Sequence, residues 1–183
     1  TGVQTCALPI YLAIGLMISA ARQLPAADRY VKDGKWTSGP MPLARKVSGG
    51  RLGIVGIGRI GQAIAHRALA FNMTIAYTAR SKRAELPYAF YPTATELATH
   101  CDYLVVITPG GAGTLKLINA EVLKALGPEG ILINVARGSV VDQEALIHAL
   151  QNGVIAGAGL DVFENEPNVP EALRAIPHVV LAP

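Results

Sequence analysis

Acidic side chains are missing from one long stretch of the sequence, since none occurs from Gly34 to Ala84. Residues 22–83 carry twelve Lys and Arg against two Asp, a balance of +10. Residues 84–183 carry four Lys and Arg against eleven acids, a balance of −7, and the whole chain has a net charge of +3. The basic half predicts contact with an anion, either a nucleic acid or a phosphorylated cofactor.

Cysteine is also scarce, because only Cys6 and Cys101 occur and neither lies in a Cys-x-x-Cys pair or a Cys/His cluster. A disulfide framework and a structural zinc site are therefore not expected, and we predict no metal site and a reducing, cytoplasmic location. With 183 residues, 51% apolar and 16% charged, the chain is long and hydrophobic enough for one domain with a sizeable core.

Residues 1–21 contain no charged side chain. The apolar part of this stretch includes Pro9 and is shorter than the ~20 residues that span a bilayer. A signal peptide typically has Lys or Arg before its apolar part, and neither residue precedes this one. We therefore predict a helix buried by protein over Ile10–Leu24, and no membrane partner. Pro25–Gly50, which is polar and contains the lone Trp36, predicts an extended connection.

After Gly50, short apolar runs alternate with amphipathic segments of helix length. Continuous Val, Ile and Leu runs are typical of strands buried on both faces. Their alternation with helices predicts an α/β fold with a doubly wound, Rossmann-type parallel sheet. The predicted strands are Leu52–Val55, Thr74–Tyr77, Tyr103–Ile107, Ile131–Val135, Ile155–Leu160 and Val179–Leu181, and the predicted helices are Ile60–Phe71, Thr93–Thr99, Asn119–Leu126 and Gln143–Gln151.

A Gly-x-Gly-x-x-Gly sequence, Gly56–Gly61, lies between the first predicted strand and the first helix after it. In this position Gly56 permits a tight turn, Gly58 lets a diphosphate approach the backbone, and Gly61 lets helix and strand pack closely. The helix N-terminus supplies free N–H groups and partial positive charge. A strand–helix turn without a ligand is the alternative.

The residues after the second strand distinguish NAD from NADP, because a carboxylate there binds the ribose 2′-hydroxyl whereas Arg accommodates a 2′-phosphate. Residues 77–83, Tyr-Thr-Ala-Arg-Ser-Lys-Arg, contain no acid. Thr78, Arg80, Ser81 and Arg83 therefore predict an NADP site, with NAD still possible. A solvated basic loop would give the same composition.

Three segments carry a family resemblance: Leu52–Gly61, Leu132–Gly138 and Gly159–Pro167. In this order and spacing they resemble the D-isomer-specific 2-hydroxyacid dehydrogenases, most closely the NADP-dependent glyoxylate/hydroxypyruvate reductase branch. The resemblance covers about Ile10 to Pro183. It implies hydride transfer between NADPH and a small 2-keto or 2-hydroxy acid such as glyoxylate or hydroxypyruvate.

The resemblance also implies roles for single residues. Arg137 would bind the carboxylate and carbonyl of the keto acid, a pairing that suits a guanidinium fork. Glu166 would hydrogen-bond a catalytic histidine and raise its pKa, and Asp161 would accept from the nicotinamide carboxamide. The alternatives are a structural ion pair for Arg137, an exposed loop position for Glu166 and a helix or turn cap for Asp161. In relatives, further cofactor contacts come from the residues here numbered Arg59, Ile60, Thr108, Pro109, Val135 and Ala136.

The resemblance implies three regions. Residues 1–9 fit no family pattern and are expected to be non-native or disordered. Residues 10–47 are expected to be an interdomain and dimerisation helix and arm, left from a truncated substrate domain, and residues 48–183 to be the dinucleotide-binding domain, truncated at its C-terminus. In the family the catalytic histidine would follow Pro183, and most of the substrate domain precedes Ile10. His66, His100, His148 and His178 do not match that histidine. The chain is therefore expected to be a fragment that binds cofactor without turnover.

Three other functions stay open at this point. An NAD-linked relative, such as a phosphoglycerate or formate dehydrogenase, is disfavoured by the absence of an acid at 77–83. A non-catalytic, nucleotide-sensing corepressor is disfavoured by Arg137 together with Glu166. A nucleic-acid-binding module would explain the basic half, but no aromatic stripe accompanies those charges, so we expect no nucleic-acid partner.

Overall fold

The computed structural model describes the backbone of residues 2–183 and the side chains from Leu8 onward. Within these residues, seven strands form one parallel sheet in the order β3-β2-β1-β4-β5-β6-β7. The strands are β1 Arg51–Val55, β2 Thr74–Thr78, β3 Ala89–Phe90, β4 Tyr103–Val106, β5 Ile131–Asn134, β6 Gly157–Leu160 and β7 Val179–Leu181. The helices are α1 Gly2–Arg22, α2 Leu24–Lys32, α3 Arg59–Leu69, α4 Ala94–Thr99, α5 Ala120–Leu126, α6 Gln143–Gln151 and α7 Glu171–Arg174.

The prediction of a doubly wound parallel sheet is confirmed, and the six predicted strands are present with bounds that differ by at most two residues. β4, β5 and β6 are buried at every position, which explains their continuous apolar runs. The chain first winds outward from β1 to β3 and then returns to β4 on the other side of β1. This reversal opens a crevice at the carboxyl ends of β1 and β4, where ligands bind in such sheets.

Each face of the sheet has its own apolar core. α1 and α3 pack on one face, with Ala13, Leu16 and Met17 of α1 buried. α4, α5 and α6 cover the other face. α1 lies so close to β6 that a Cβ on Gly159 would come within 2.9 Å of the Leu16 Cβ. The expected burial is therefore confirmed for one face of this helix, whereas Tyr11 is 61% exposed.

Two bounds in the N-terminal segment were wrongly predicted. The helix expected over Ile10–Leu24 ends at Arg22, where Gln23 adopts a left-handed conformation, and α2 begins at Leu24. The extended connection expected over Pro25–Gly50 is helical through Lys32 and again over Lys35–Ser38. Proline caused this error, because Pro25 lies in the first turn of α2, where a residue without an N–H group is tolerated.

The short elements β3 and α7 were not predicted, since two and four residues show no periodic pattern. The expectation that residues 1–9 are non-native or disordered falls mostly outside the described side chains, which begin at Leu8. The backbone from Gly2 belongs to α1.

Among the described helices, none alone has the length and apolarity to cross a membrane. The part of α1 from Leu8 passes that test only together with α2, and the two meet at a 55° bend.

The amino ends of β1 and β4 are joined by polar contacts. Asp102 accepts hydrogen bonds from the Arg51 backbone N–H and from Arg51 Nη2, each at 2.8 Å. These bonds from Arg51 hold the pKa of the Asp102 carboxyl below its ordinary value. Nearby, the Tyr103 hydroxyl donates to the Lys46 carbonyl at 3.1 Å. These contacts stabilise the amino edge of the sheet, which lies opposite to the crevice.

Candidate functional site

The crevice at the carboxyl ends of β1, β2 and β4 is a cavity of about 950 Å³. Its walls come from the glycine-rich turn after β1, the basic loop after β2 and the loop after β4. Eight of the predicted cofactor-binding residues line it, namely Gly56, Gly58, Thr78, Arg80, Ser81, Arg83, Thr108 and Pro109. The topology therefore brings three separate sequence signals to one site.

The glycine-rich turn is shaped by two close approaches. Gly56 has φ +102°, and a Cβ there would come within 3.0 Å of the Thr108 backbone N. A Cβ on Gly61 would collide with the Gly56 carbonyl oxygen, so only glycine at this position lets α3 begin directly against the turn. At Gly58 a Cβ would meet nothing within 4 Å. This open space next to the first N–H groups of α3 fits a diphosphate.

The basic loop after β2 contributes the charged wall of the cavity. Arg80, Ser81 and Arg83 line the cavity and have exposed side chains. Arg83 Nη1 lies 4.0 Å from Glu85 Oε1, a long contact between two exposed groups that contributes little stability. The two guanidinium groups and the hydroxyl can therefore turn toward a bound phosphate.

Arg137, Asp161 and Glu166 lie at the carboxyl ends of β5 and β6, outside the lining of this cavity. Burial raises the pKa of the Asp161 carboxyl, the negative charge of Glu166 raises it further, and the positive charge of Arg137 opposes both. The three charged groups therefore share one electrostatic environment. Arg137 abuts the cavity wall, because its Cγ would lie 3.0 Å from a Cβ on Gly110.

The loops that carry Arg137 and Glu166 touch each other. A Cβ on Gly138 would overlap the Phe163 carbonyl, so only glycine allows this contact. Glu166 is exposed and its Oε1 accepts from the Phe163 backbone N–H at 2.9 Å, which fixes the carboxylate in its turn. Arg137 Nη1 donates to the Ala136 carbonyl at 2.6 Å, and Arg137 has no salt bridge with any side chain from Leu8 onward.

One residue that supports this loop was missed by sequence reasoning. Asn134 ends β5 and is 1% exposed. Its Nδ2 donates to the Arg137 carbonyl at 3.2 Å, and its Oδ1 accepts from the Ala136 backbone N–H at 3.1 Å. A buried amide at the end of an otherwise apolar strand was the available signal, because a buried polar group needs partners.

The remaining predicted cofactor residues do not line the cavity. Arg59, Ile60 and Gly61 form the first turn of α3. Val135 and Ala136 are buried directly after β5. The side chains from Leu8 to Pro183 include no group of three His, Cys, Asp or Glu placed to hold a metal ion.

Comparison with known proteins gives one consistent family. The family model described as "D-isomer specific 2-hydroxyacid dehydrogenase, NAD binding domain" matches residues 14–183. The chain is 49% identical over 172 residues to hydroxyphenylpyruvate reductase of Plectranthus scutellarioides, covering 94% of this chain and 55% of that protein. It is 48% identical over 172 residues to glyoxylate/hydroxypyruvate reductase A of Arabidopsis thaliana, with the same shares of the two chains.

A solved structure supports the same grouping. The NADPH-dependent glyoxylate/hydroxypyruvate reductase of Sinorhizobium meliloti, in complex with NADP and malonate, is 52% identical with a TM-score of 0.91. The match covers 96% of this chain and 56% of that one. The chain thus spans about half the length of the relatives it matches.

We predict that two glycine substitutions in the turn separate folding from dinucleotide binding. Gly61→Ala should lower the free energy of unfolding by about 1–3 kcal/mol, because its Cβ overlaps the Gly56 carbonyl. Gly58→Ala should change stability by less than about 1 kcal/mol but weaken dinucleotide binding at least about tenfold, because its methyl group fills the space beside α3. Thermal denaturation and dinucleotide titration measure both effects. Unchanged affinity in Gly58→Ala would place the diphosphate elsewhere.

Proposed function

The chain belongs to the D-isomer specific 2-hydroxyacid dehydrogenase family, and on that premise we propose that it is the dinucleotide-binding part of an NADPH-dependent reductase of glyoxylate or hydroxypyruvate. One observation carries the choice of cofactor: the cavity wall after β2 presents Arg80, Ser81 and Arg83, and residues 77–83 contain no carboxylate. The names of the similar reductases support the choice of substrate class.

The residues fit the dinucleotide in two places. The open space at Gly58 beside the N-terminus of α3 suits the diphosphate. The basic loop suits the 2′-phosphate, because guanidinium–phosphate hydrogen bonds are charge-assisted and bidentate. A carboxylate in that loop would repel the 2′-phosphate, and the local sequence has none within 77–83.

For the reaction, NADPH supplies the hydride that reduces the keto carbon. Arg137 would bind the carboxylate and the carbonyl oxygen of the keto acid, and stabilise the negative charge that develops on that oxygen. Its exposed guanidinium, free of any described salt bridge, is available for this task. Glu166, fixed by the Phe163 N–H, would orient an imidazolium and favour its protonated form.

The chain should bind NADPH at least about tenfold more tightly than NADH, because each charge-assisted contact to the 2′-phosphate contributes about 1.5–3 kcal/mol. Arg80→Ala/Arg83→Ala should abolish that ratio and leave NADH affinity unchanged. Lys46→Ala, which removes an exposed cation at the opposite edge of the sheet, is the matched control. Fluorescence titration with both cofactors measures the ratio. Equal affinities in the unmodified chain, or an unchanged ratio in the double variant, would overturn the proposal.

Turnover should require the segments that the relatives have beyond this chain. In a polypeptide that includes them, Arg137→Ala should lower kcat/KM for glyoxylate and hydroxypyruvate by about 10²–10³-fold without changing the Kd for NADPH. Lys124→Ala, an exposed cation on α5, should leave both values unchanged. NADPH oxidation followed by absorbance is the measurement. Clear turnover by the 183-residue chain alone, abolished by Arg137→Ala, would show that the proton donor is not the histidine expected to follow Pro183.

We further propose that the segment 10–47 forms part of a homodimer interface. Tyr11, Trp36 and Leu43 are 61%, 66% and 101% exposed, and a dimer interface would remove such large apolar side chains from water. Trp36→Ala/Leu43→Ala should therefore shift the chain toward monomer in sedimentation equilibrium. Leu115→Ala, equally apolar and 61% exposed but outside the segment, should not. A chain that is monomeric at all concentrations would contradict the proposal.

A further inference from the structure

Tyr77 joins the buried core to the basic loop. It is the fourth residue of β2 and is 0% exposed. Its hydroxyl accepts a hydrogen bond from the Arg83 backbone N–H at 2.7 Å and donates to the Arg83 carbonyl at 3.3 Å. Both bonds go to one residue, so a single buried side chain holds the backbone on either side of the Arg83 Cα.

The ring that carries this hydroxyl is itself held firmly. It packs against Phe90 of β3 with ring centroids 5.4 Å apart. The Tyr77 carbonyl accepts from the Tyr91 backbone N–H at 2.9 Å, which ties β2 to the end of β3. Residues 80–85, by contrast, are exposed. The Tyr77 hydroxyl is therefore fixed in the core and holds the backbone of a loop that is otherwise exposed to solvent.

We propose that Tyr77 is a positioning residue for recognition of the 2′-phosphate. By fixing the Arg83 backbone, it keeps the Arg83 side chain at the cavity wall before the cofactor arrives, so that less conformational freedom is lost on binding. The inference rests on the proposed function, since only a ligand with a 2′-phosphate uses Arg83 in this way. NADH has no such phosphate, so its affinity does not depend on the position of Arg83.

Tyr103 provides a matched control within the same core. It is 1% exposed and lies in β4, and its hydroxyl also bonds to backbone, donating to the Lys46 carbonyl at 3.1 Å. That bond lies at the amino edge of the sheet, away from the basic loop. Tyr103→Phe therefore removes a comparable hydroxyl and leaves Arg83 in place.

The experiment compares Tyr77→Phe with Tyr103→Phe in titrations of NADPH, NADH, 2′,5′-ADP and 5′-AMP. Tyr77→Phe should weaken NADPH and 2′,5′-ADP about three- to tenfold and leave NADH and 5′-AMP within about twofold. Tyr103→Phe should keep all ratios, even though its melting temperature falls. In an Arg83→Ala background, Tyr77→Phe should have no further effect on NADPH, because the two residues act through one contact.

An unchanged NADPH-to-NADH ratio in Tyr77→Phe would overturn the inference alone, whether both affinities stay the same or both fall equally, as a purely structural role would give. Additive losses in the Tyr77→Phe/Arg83→Ala variant would overturn it as well, since Tyr77 would then act independently of Arg83. No NADPH preference in the unmodified chain would overturn both this inference and the proposed cofactor, so the two failures are distinguishable.

Discussion

The close contact between the start of α3 and the turn that follows β1 is the constraint on which the site depends. Gly61 lies directly against the Gly56 carbonyl, and Gly56 in turn lies against the backbone of Thr108. The Gly56 N–H also donates to the Thr78 carbonyl at 3.0 Å. The carboxyl ends of β1, β2 and β4 therefore meet at one turn, and the N-terminus of α3 is aimed into the crevice that they enclose.

A second glycine contact connects the charged groups beyond this crevice. Gly138 lies against the Phe163 carbonyl, which brings the loop of Arg137 against the loop of Glu166. Asn134 hydrogen-bonds to the backbone of the Arg137 loop, and the Phe163 N–H donates to the Glu166 carboxylate in the other loop. Because Arg137 also abuts Gly110 on the cavity wall, the proposed substrate-binding group stands beside the proposed cofactor site.

The sequence predicted those parts of the molecule whose signal is local. Buried strands show as runs of Val, Ile and Leu, and Gly56–Gly61 lies where a strand gives way to a helix. α2 was missed because Pro25 suggested a break although it lies in a first helical turn. β3 was missed because two residues form no run.

The supporting side chains could not be predicted for a different reason. Tyr77 could be placed at the end of an apolar strand and at the start of the 77–83 segment, but the partner of its hydroxyl depends on the path of the loop six residues later. Asn134 acts on backbone atoms that meet it only after the chain turns. Such roles follow from tertiary geometry. The residues predicted to contact ligands, such as Arg80 and Arg137, have chemically distinctive side chains and could be named from the sequence, and their roles stay predictions.

We propose that the crevice at the carboxyl ends of β1, β2 and β4 binds NADPH, with the diphosphate at the N-terminus of α3 and the 2′-phosphate at the basic loop after β2. Backbone amide NMR spectra of the chain, recorded with NADPH and separately with NADH, test it most directly. We expect both cofactors to shift the amide signals of Gly58 and Arg59, and NADPH alone to shift strongly those of Ser81 and Arg83. Shifts confined to the amino edge around Arg51 and Asp102, or equal shifts at Ser81 and Arg83 with both cofactors, would contradict it.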